Sequence, residues 1–494
     1  MIKFDGTIVQ FGFGAVGKSF YEKAAKEIRY KEHNYYIITQ DRGEFEAYIN
    51  LGGLVANFIP QEITKDNYRT VFGTYLKSGD LLLDFADTVG TKDICDWCAR
   101  ENIMYLNTGA ADWPENWLNI FEQDRLLNEV KETYRKNGAA NRYPIVLQHG
   151  NNPGLVSHFV KAGIEYIVST QYKRDRRLKT LVKQGRFNEA AHILGIKMIQ
   201  VNDLDLQEIR EKPDDHKLFN TWCADTFLYE LLTEAAINIG PHEHPDIADG
   251  CKYIDPVRGF LEFPYIAADK KCRTYCPGGA FDGYLVPHEE TVTIAKSLEV
   301  THHGQVVYRP SVIFLYAPCR LASTYLTNAK VNDYPVPDPA KPADCENEHG
   351  PTIIRGHVYP GQTEIVYREK IKSGTEYVGV LLIGETFKPV WVGNRIELSY
   401  LDKNPRHSYW QTPTVTPVAM SALSAVCWML KNKEKGGIYF PDDIPDYKYI
   451  LKIAEKYISK TIYQTYDQNT LEEALHIDCS DLQLKDILSR RADT

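Results

Sequence analysis

The sequence predicts an α/β protein: a doubly wound parallel sheet comes first, and a second, α+β domain follows it. Three observations predict this. A glycine-punctuated turn joins an apolar run to a helix-like segment at the start of the chain. Strand and helix signals then alternate up to about residue 150. Beyond that point strands crowd together with fewer helices between them. At 494 residues the chain is too long for one compact core. The expected segments are 1–150 for the parallel sheet and 151–412 for a substrate-binding and dimerisation domain. Residues 413–494 are read as helices packing back onto, or between, these domains.

The first element is the strand Thr7–Phe11, which runs into Gly12, Gly14 and Gly17 at Gly-x-Gly-x-x-Gly spacing. Such a turn cradles a dinucleotide pyrophosphate: the first glycine turns tightly and the second lets the backbone approach the phosphate. The third lets the following helix, opening with Ala15 and Val16, pack on the strand with its N-terminus toward the anion. A second strand, Tyr35–Thr39, ends near Asp41, where a ribose-binding carboxylate is expected. A carboxylate there favours NAD over NADP, because it bonds a 2′-hydroxyl and repels a 2′-phosphate. The domain is therefore read as Rossmann-type, with NAD as its cofactor.

Further strands are expected at Leu81–Phe85, Met104–Leu106 and Ile145–Gln148, with helices over Lys92–Glu101 and Trp117–Tyr134. Ligands of such sheets lie beyond the carboxyl ends of the strands, which nominates Asp87, Thr88, Asn107 and Thr108 as cofactor contacts. Asp87 and Thr88 could equally cap the next helix. Asn152 and Pro153 open another helix, with geometry that suits either anion binding or capping. In the middle segment strands are expected at Thr291–Ile294, Val312–Tyr316, Thr363–Tyr367 and Val378–Ile383. Val331–Pro351 reads as a surface loop. The run Val418–Leu430 is apolar throughout and, at this length, predicts a buried helix rather than a membrane span.

Composition excludes several classes. Hydrophobic residues make up 43% and charged residues 25%, as in ordinary globular proteins, and the net charge of −9 argues against nucleic acid. No membrane segment and no secretory leader are expected, and a cytoplasmic location follows by default. Ten scattered cysteines form no disulfide framework. Cys95 and Cys98 read as buried thiols on a helix; His242-Glu243-His244 is a single local cluster followed by Pro245, with Glu243 read as structural or inner-wall, so no metal is expected.

Taken together, the motifs Val9–Gly14, Asn152–Ser157, Asn220-Thr-Trp222, His242-Glu243, Val286-Pro-His288-Glu289, Tyr308-Arg-Pro310, Gly379–Leu382 and Gly437-Ile438 resemble those of bacterial-type homospermidine synthases. These belong to the saccharopine dehydrogenase-like superfamily, and the resemblance runs over nearly the whole chain. It implies that two putrescines are joined with loss of ammonia by NAD-mediated hydride removal, imine exchange and hydride return, in a homodimer.

The resemblance also implies roles for particular residues. Trp222 would hold an ammonium or iminium on its indole face, worth roughly 0.5–2 kcal/mol. Glu230 and Asp203 would be amine ligands, with Asp205 the neighbouring choice to Asp203. His288 would accept the amine proton, and Glu376 would stand near the amine pocket. The helix Asp225–Ile237 is expected to carry Glu230 and Glu234 on its polar face. A glutamate usual in the family is missing at Ala111, and Asp112 or Glu115 would replace it. The rival reading is a saccharopine- or carboxyspermidine-type dehydrogenase, which would need a basic pocket for a carboxylate.

Overall fold

The computed structural model describes residues 1–86, 89–113, 118–136, 141–214, 217–244, 247, 250–255, 257–328, 352–354, 357–359, 362–401 and 409–488. The chain forms two compact units, neither of them continuous in sequence. The first comprises Met1–Glu165, His288–Ser297 and Val415–Thr461, and the second Tyr166–Pro287, Leu298–Thr414 and Ile462–Thr494. This differs from the expected divisions near 150 and 412. Two later stretches return to the first unit, and Ile462–Thr494 joins the second instead of staying with the helices before it. The expected loop Val331–Pro351 lies outside the described residues.

In the first unit six strands follow one another in the chain: β1 (Ile8–Phe11), β2 (Tyr35–Thr39), β3 (Phe58–Pro60), β4 (Leu81–Asp84), β5 (Met104–Asn107) and β6 (Pro144–Val146). They lie in the order 3-2-1-4-5-6, all parallel, and Gly437–Tyr439 adds a seventh strand beside β6. The chain reverses its direction of winding between β1 and β4. That is the place where a crevice opens beyond the strand ends. β1, β4 and β5 are buried at every residue, as continuous apolar runs covered on both faces should be.

The helix Val415–Lys431 packs on α1 (Ala15–Glu27), and all of it but Val418 and Lys431 is buried. Lys161 pins the later stretch to the earlier one. Its buried ammonium donates to the carbonyls of Asp442 (2.7 Å) and Ile444 (2.8 Å), and Ser157 Oγ donates to the Asp442 carboxylate at 3.0 Å. Burial pulls this lysine down to about 8.

The second unit is built on a mixed ten-stranded sheet. Its central strand is β7 (Ile196–Asp205). β8 (Glu234–Asn238) and β9 (Ser311–Ala317) lie to one side, and β10 (Thr375–Gly384) and β11 (Val390–Glu397) to the other. β9 runs parallel to β7 and β10 antiparallel to it.

Two expectations are corrected. Thr291–Ile294 lies inside the helix Glu289–Ser297, where two acidic residues open the first turn and tertiary burial outweighs the β-branched side chains. The helix expected over Asp225–Ile237 stops at Leu232, and Glu234 begins β8 because the following Ala235–Asn238 fills an interior position in the sheet.

The glycine turn is held by Gln10. Its amide donates to the carbonyls of Gly12 (3.0 Å) and Gly17 (3.1 Å) and accepts from the Tyr35 hydroxyl at 2.7 Å. A Cβ at Gly17 would stand 2.5 Å from the Gly12 carbonyl oxygen. Gly17→Ala is therefore expected to destabilise the protein by about 1–3 kcal/mol, read from the midpoint of denaturant unfolding. An unchanged midpoint would mean that the helix start can retreat at no cost.

Candidate functional site

In the first unit the cradle has the anatomy of an anion site. Gly12 sits at φ +85°, and a Cβ there would stand 2.8 Å from the backbone of Phe85. A Cβ on Gly14, by contrast, would meet nothing within 4 Å, so space lies open where the second glycine should admit a phosphate. Gly14 is also the N-cap of α1. It offers no side-chain cap, and the first turn from Ala15 and Val16 to Gly17 carries no acidic residue. The orphan N–H groups of a 13-residue helix are thus left for a ligand.

Asp41 is exposed beyond the end of β2, and its Oδ1 accepts from Gly43 N at 2.7 Å. Nearby, the buried Lys18 ammonium is held by both oxygens of Glu44 at 2.7 Å, a bond the sequence pattern did not signal.

The other nominated cofactor contacts divide. Asn107 is fully engaged by the protein: its amide nitrogen donates to Gly109 O (2.6 Å) and Thr91 Oγ1 (3.3 Å), and its oxygen accepts from Gln148 N (2.7 Å). Its side chain therefore braces the loop at this strand end. Thr108 follows it, half-buried, at the same strand end. Asn152 and Pro153 lie in the turn between β6 and the helix Leu155–Thr170. Asp87, Thr88 and Glu115 lie outside the described residues.

Asp112, one of the two candidates for the role of the missing glutamate at 111, already has partners within its own loop. Its carboxylate accepts from Leu118 N and Gln123 Nε2, both at 3.1 Å, and braces its own loop. Glu289 does reach that loop, accepting from Ala110 N at 3.3 Å.

His288 is buried, with its Nδ1 against the carboxylate of Glu290 and 3.4 Å from Glu289. An Nδ1–H donating to carboxylate places the lone pair of a neutral ring on Nε2. Among the described residues these three form the one His/carboxylate group whose donor atoms gather within 4.8 Å. Cys95 and Cys98 are fully buried free thiols pushed up by desolvation. Glu243 accepts from Leu484 N (2.8 Å) and Ser311 Oγ, which tie it to two other segments of the second unit.

The second unit gathers its acidic residues by strand register. Asp203 and Asp205, two apart on β7, share a face. Tyr316 on β9 pairs with Asp203, and Glu376 on β10 pairs with Asp205. Asp203 lies inside the strand rather than at its end, so both aspartates belong to the sheet. All four side chains are buried.

Donors reach Asp205 from Thr221 Oγ1 (2.7 Å), Gln207 N (2.8 Å) and Gln207 Nε2 (3.0 Å). Among the described residues no lysine or arginine pairs with Asp205 or Glu376. Desolvation accordingly raises Asp205 to about 6. Glu376 is pushed well above the carboxylate range by burial and then by Asp203 and Asp205.

Beside this face Trp222 is half-buried. Its Nε1–H donates to the Tyr316 hydroxyl at 3.0 Å, and Phe227 meets both rings edge-on. Burial and the neighbouring carboxylates keep Tyr316 a phenol. Glu230 is half-buried on the helix Ala224–Leu232, one turn after Phe227. Trp222, Asp203 and Glu376 thus share one unit with Glu230, whereas His288 belongs to the other.

Comparison with known proteins agrees with this architecture. Residues 8–142 match the saccharopine dehydrogenase NADP binding domain. The chain is 24% identical to homospermidine synthase of Mesorhizobium japonicum over 92% of its own length and 89% of the relative's. It is 25% identical to that of Blastochloris viridis over 93% and 91%. A crystal structure of Legionella pneumophila homospermidine synthase in complex with NAD superposes with a TM-score of 0.81 at 22% identity, covering 98% of both chains. The chain has the homospermidine synthase fold. Yeast saccharopine dehydrogenase shares the architecture more distantly, with a TM-score of 0.54 at 10% identity.

Within the homospermidine synthase fold, sequence reasoning named Asp203, Glu376 and Trp222 and held Asp205 only as an alternative. It missed Tyr316 and Thr221. The period of two along β7 could have found Asp205, and Thr221 adjoins the Trp222 motif. Tyr316 needed the pairing of β9 with β7.

A carboxyl group raised in the folded state binds its proton more tightly there than in the unfolded chain. Asp205 therefore lends stability that is present at pH 4 and is lost as pH rises through about 6. Asp205→Asn should flatten this part of the pH–stability curve, an effect of up to about 3 kcal/mol at 1.36 kcal/mol per unit. Identical curves for both proteins would refute the raised titration.

Proposed function

We propose that the chain is a homospermidine synthase, joining two putrescines with release of ammonia and using NAD as a bound hydride carrier. The observation that carries this reading is the desolvated acidic face of Asp203, Asp205 and Glu376 beside the Trp222 indole, with no described basic partner for Asp205 or Glu376. Burying carboxylates without a counter-charge is costly, and a dication is the ligand that relieves it. A carboxylate-bearing substrate would be repelled, which disfavours the dehydrogenase reading.

The glycine cradle suits NAD: the open space at Gly14 and the uncapped start of α1 would take the pyrophosphate, and Asp41 the ribose hydroxyls. When bound, NAD supplies the acceptor for a hydride from the carbon bearing one amine and returns it to the new carbon–nitrogen bond. The protein's own groups supply the rest. The acidic face holds one amine as an ammonium, and Glu230 serves as a further amine ligand. The indole of Trp222 offers a π-face to a developing positive charge, while its N–H, fixed by Tyr316, sets the ring's orientation. His288, with Nδ1 tied to Glu290, takes a proton at Nε2. The reading includes a homodimer working in the cytoplasm on putrescine and related diamines, without nucleic-acid or membrane partners. Among the described residues no helix is long and apolar enough to cross a membrane.

Incubation with putrescine and a catalytic amount of NAD⁺ is expected to give homospermidine and ammonia in equal amounts without accumulating NADH. Steady NADH formation would overturn the assignment. Trp222→Ala should lose about 5- to 30-fold in turnover, since roughly 1–2 kcal/mol of charge stabilisation goes with the ring, while NAD affinity stays within twofold. Undiminished turnover would remove Trp222 from the mechanism.

A further inference from the structure

Glu376 is buried, and its polar neighbours are the Thr414 hydroxyl and the Asp203 carboxyl. Neither of its oxygens receives a full hydrogen bond from a described donor. Asp205 directly opposite is already served by Thr221 and Gln207. Two carboxylates in contact repel, and the contact becomes a bond only when one proton lies between them. Among the described residues, the other titratable groups that feel the cluster's charge include Tyr316 from β9, Cys319 ahead of the helix Arg320–Asn328, and Cys276 at the end of Lys271–Cys276. Burial keeps all three neutral, so none of them adds a further negative charge.

We propose that Asp203, Asp205 and Glu376 act as one protonation unit in which Glu376 holds a proton toward Asp203 in the ligand-free protein, and that an entering diammonium ligand expels this proton to solvent. The O–H bond of Glu376 breaks, the proton passes to water and buffer, and an ammonium N–H of the ligand takes its place on the carboxylate. The pocket then fits the charge of its occupant only when occupied. This rests on the diamine reading above and adds to it a coupling between ligand charge and protein protonation. Glu376 acts here as a specificity residue: a ligand carrying only one ammonium expels the proton less completely and binds more weakly.

Two measurements test this. Infrared spectra of ligand-free protein at pH 7.5 should show the carbonyl band of a protonated carboxyl, absent in Glu376→Gln and bleached by putrescine. Calorimetric titration with putrescine in phosphate and in Tris should show release of about one proton per ligand beyond that seen with Glu376→Gln. Apparent affinity should fall about tenfold per pH unit on acidification. A missing band in ligand-free protein overturns the protonation unit. Equal proton release by both proteins also overturns it, because the proton then comes from the amine. A band present with no binding of putrescine overturns the diamine reading instead.

Discussion

The second unit is organised around one constraint: carboxyl groups on a sheet face from which water is largely excluded. β7 is the strand that imposes it. With β9 beside it in parallel and β10 in antiparallel register, side chains two apart on three strands are forced into one patch. The opposite face of β7 serves the core: Met198 and Leu204 enter an apolar cluster, and Asn202 accepts from the buried Trp391 indole at 2.9 Å. A slip of one residue would exchange these faces and place the acids in the core. The fold of this unit and the charge of its pocket are therefore fixed by the same register.

The first unit follows a different logic, in which main-chain geometry does the binding. Its glycines are demanded for separate reasons. Gly12 and Gly17 lie where a side chain would strike neighbouring backbone, and Gly14 where it would strike nothing of the protein. Gln10, out of reach of any ligand beneath the turn, ties both of its limbs together. The sequence places a glutamine at this position without indicating why. The reason appears only when Tyr35 arrives from the next strand.

Legibility in the sequence followed the range of the interactions. The parallel sheet was readable because each β-α unit carries its own periodicity, and the pyrophosphate cradle because its glycines lie within six residues. Trp222 and Asp203 were readable through motif resemblance. Asp205, Tyr316 and Glu376 meet through pairings of strands more than a hundred residues apart, and no local pattern records that. The misreadings had a similar origin. Thr291–Ile294 has the composition of a strand, yet tertiary burial holds it as a helix. The helix expected to reach Ile237 stops at Leu232 because Glu234–Asn238 fills a place in the sheet.

The seventh strand of the parallel sheet, Gly437–Tyr439, has a consequence for biosynthesis. Its partner β6 is finished by residue 146. A ribosome must therefore emit nearly three hundred more residues before that edge can be covered. Until then the nascent sheet presents an unpaired ladder of amides and carbonyls to solvent and to other chains. A late-made strand thus closes an edge otherwise open to self-association, and every strand of the second unit's sheet except Ile462–Thr465 is synthesised before it arrives.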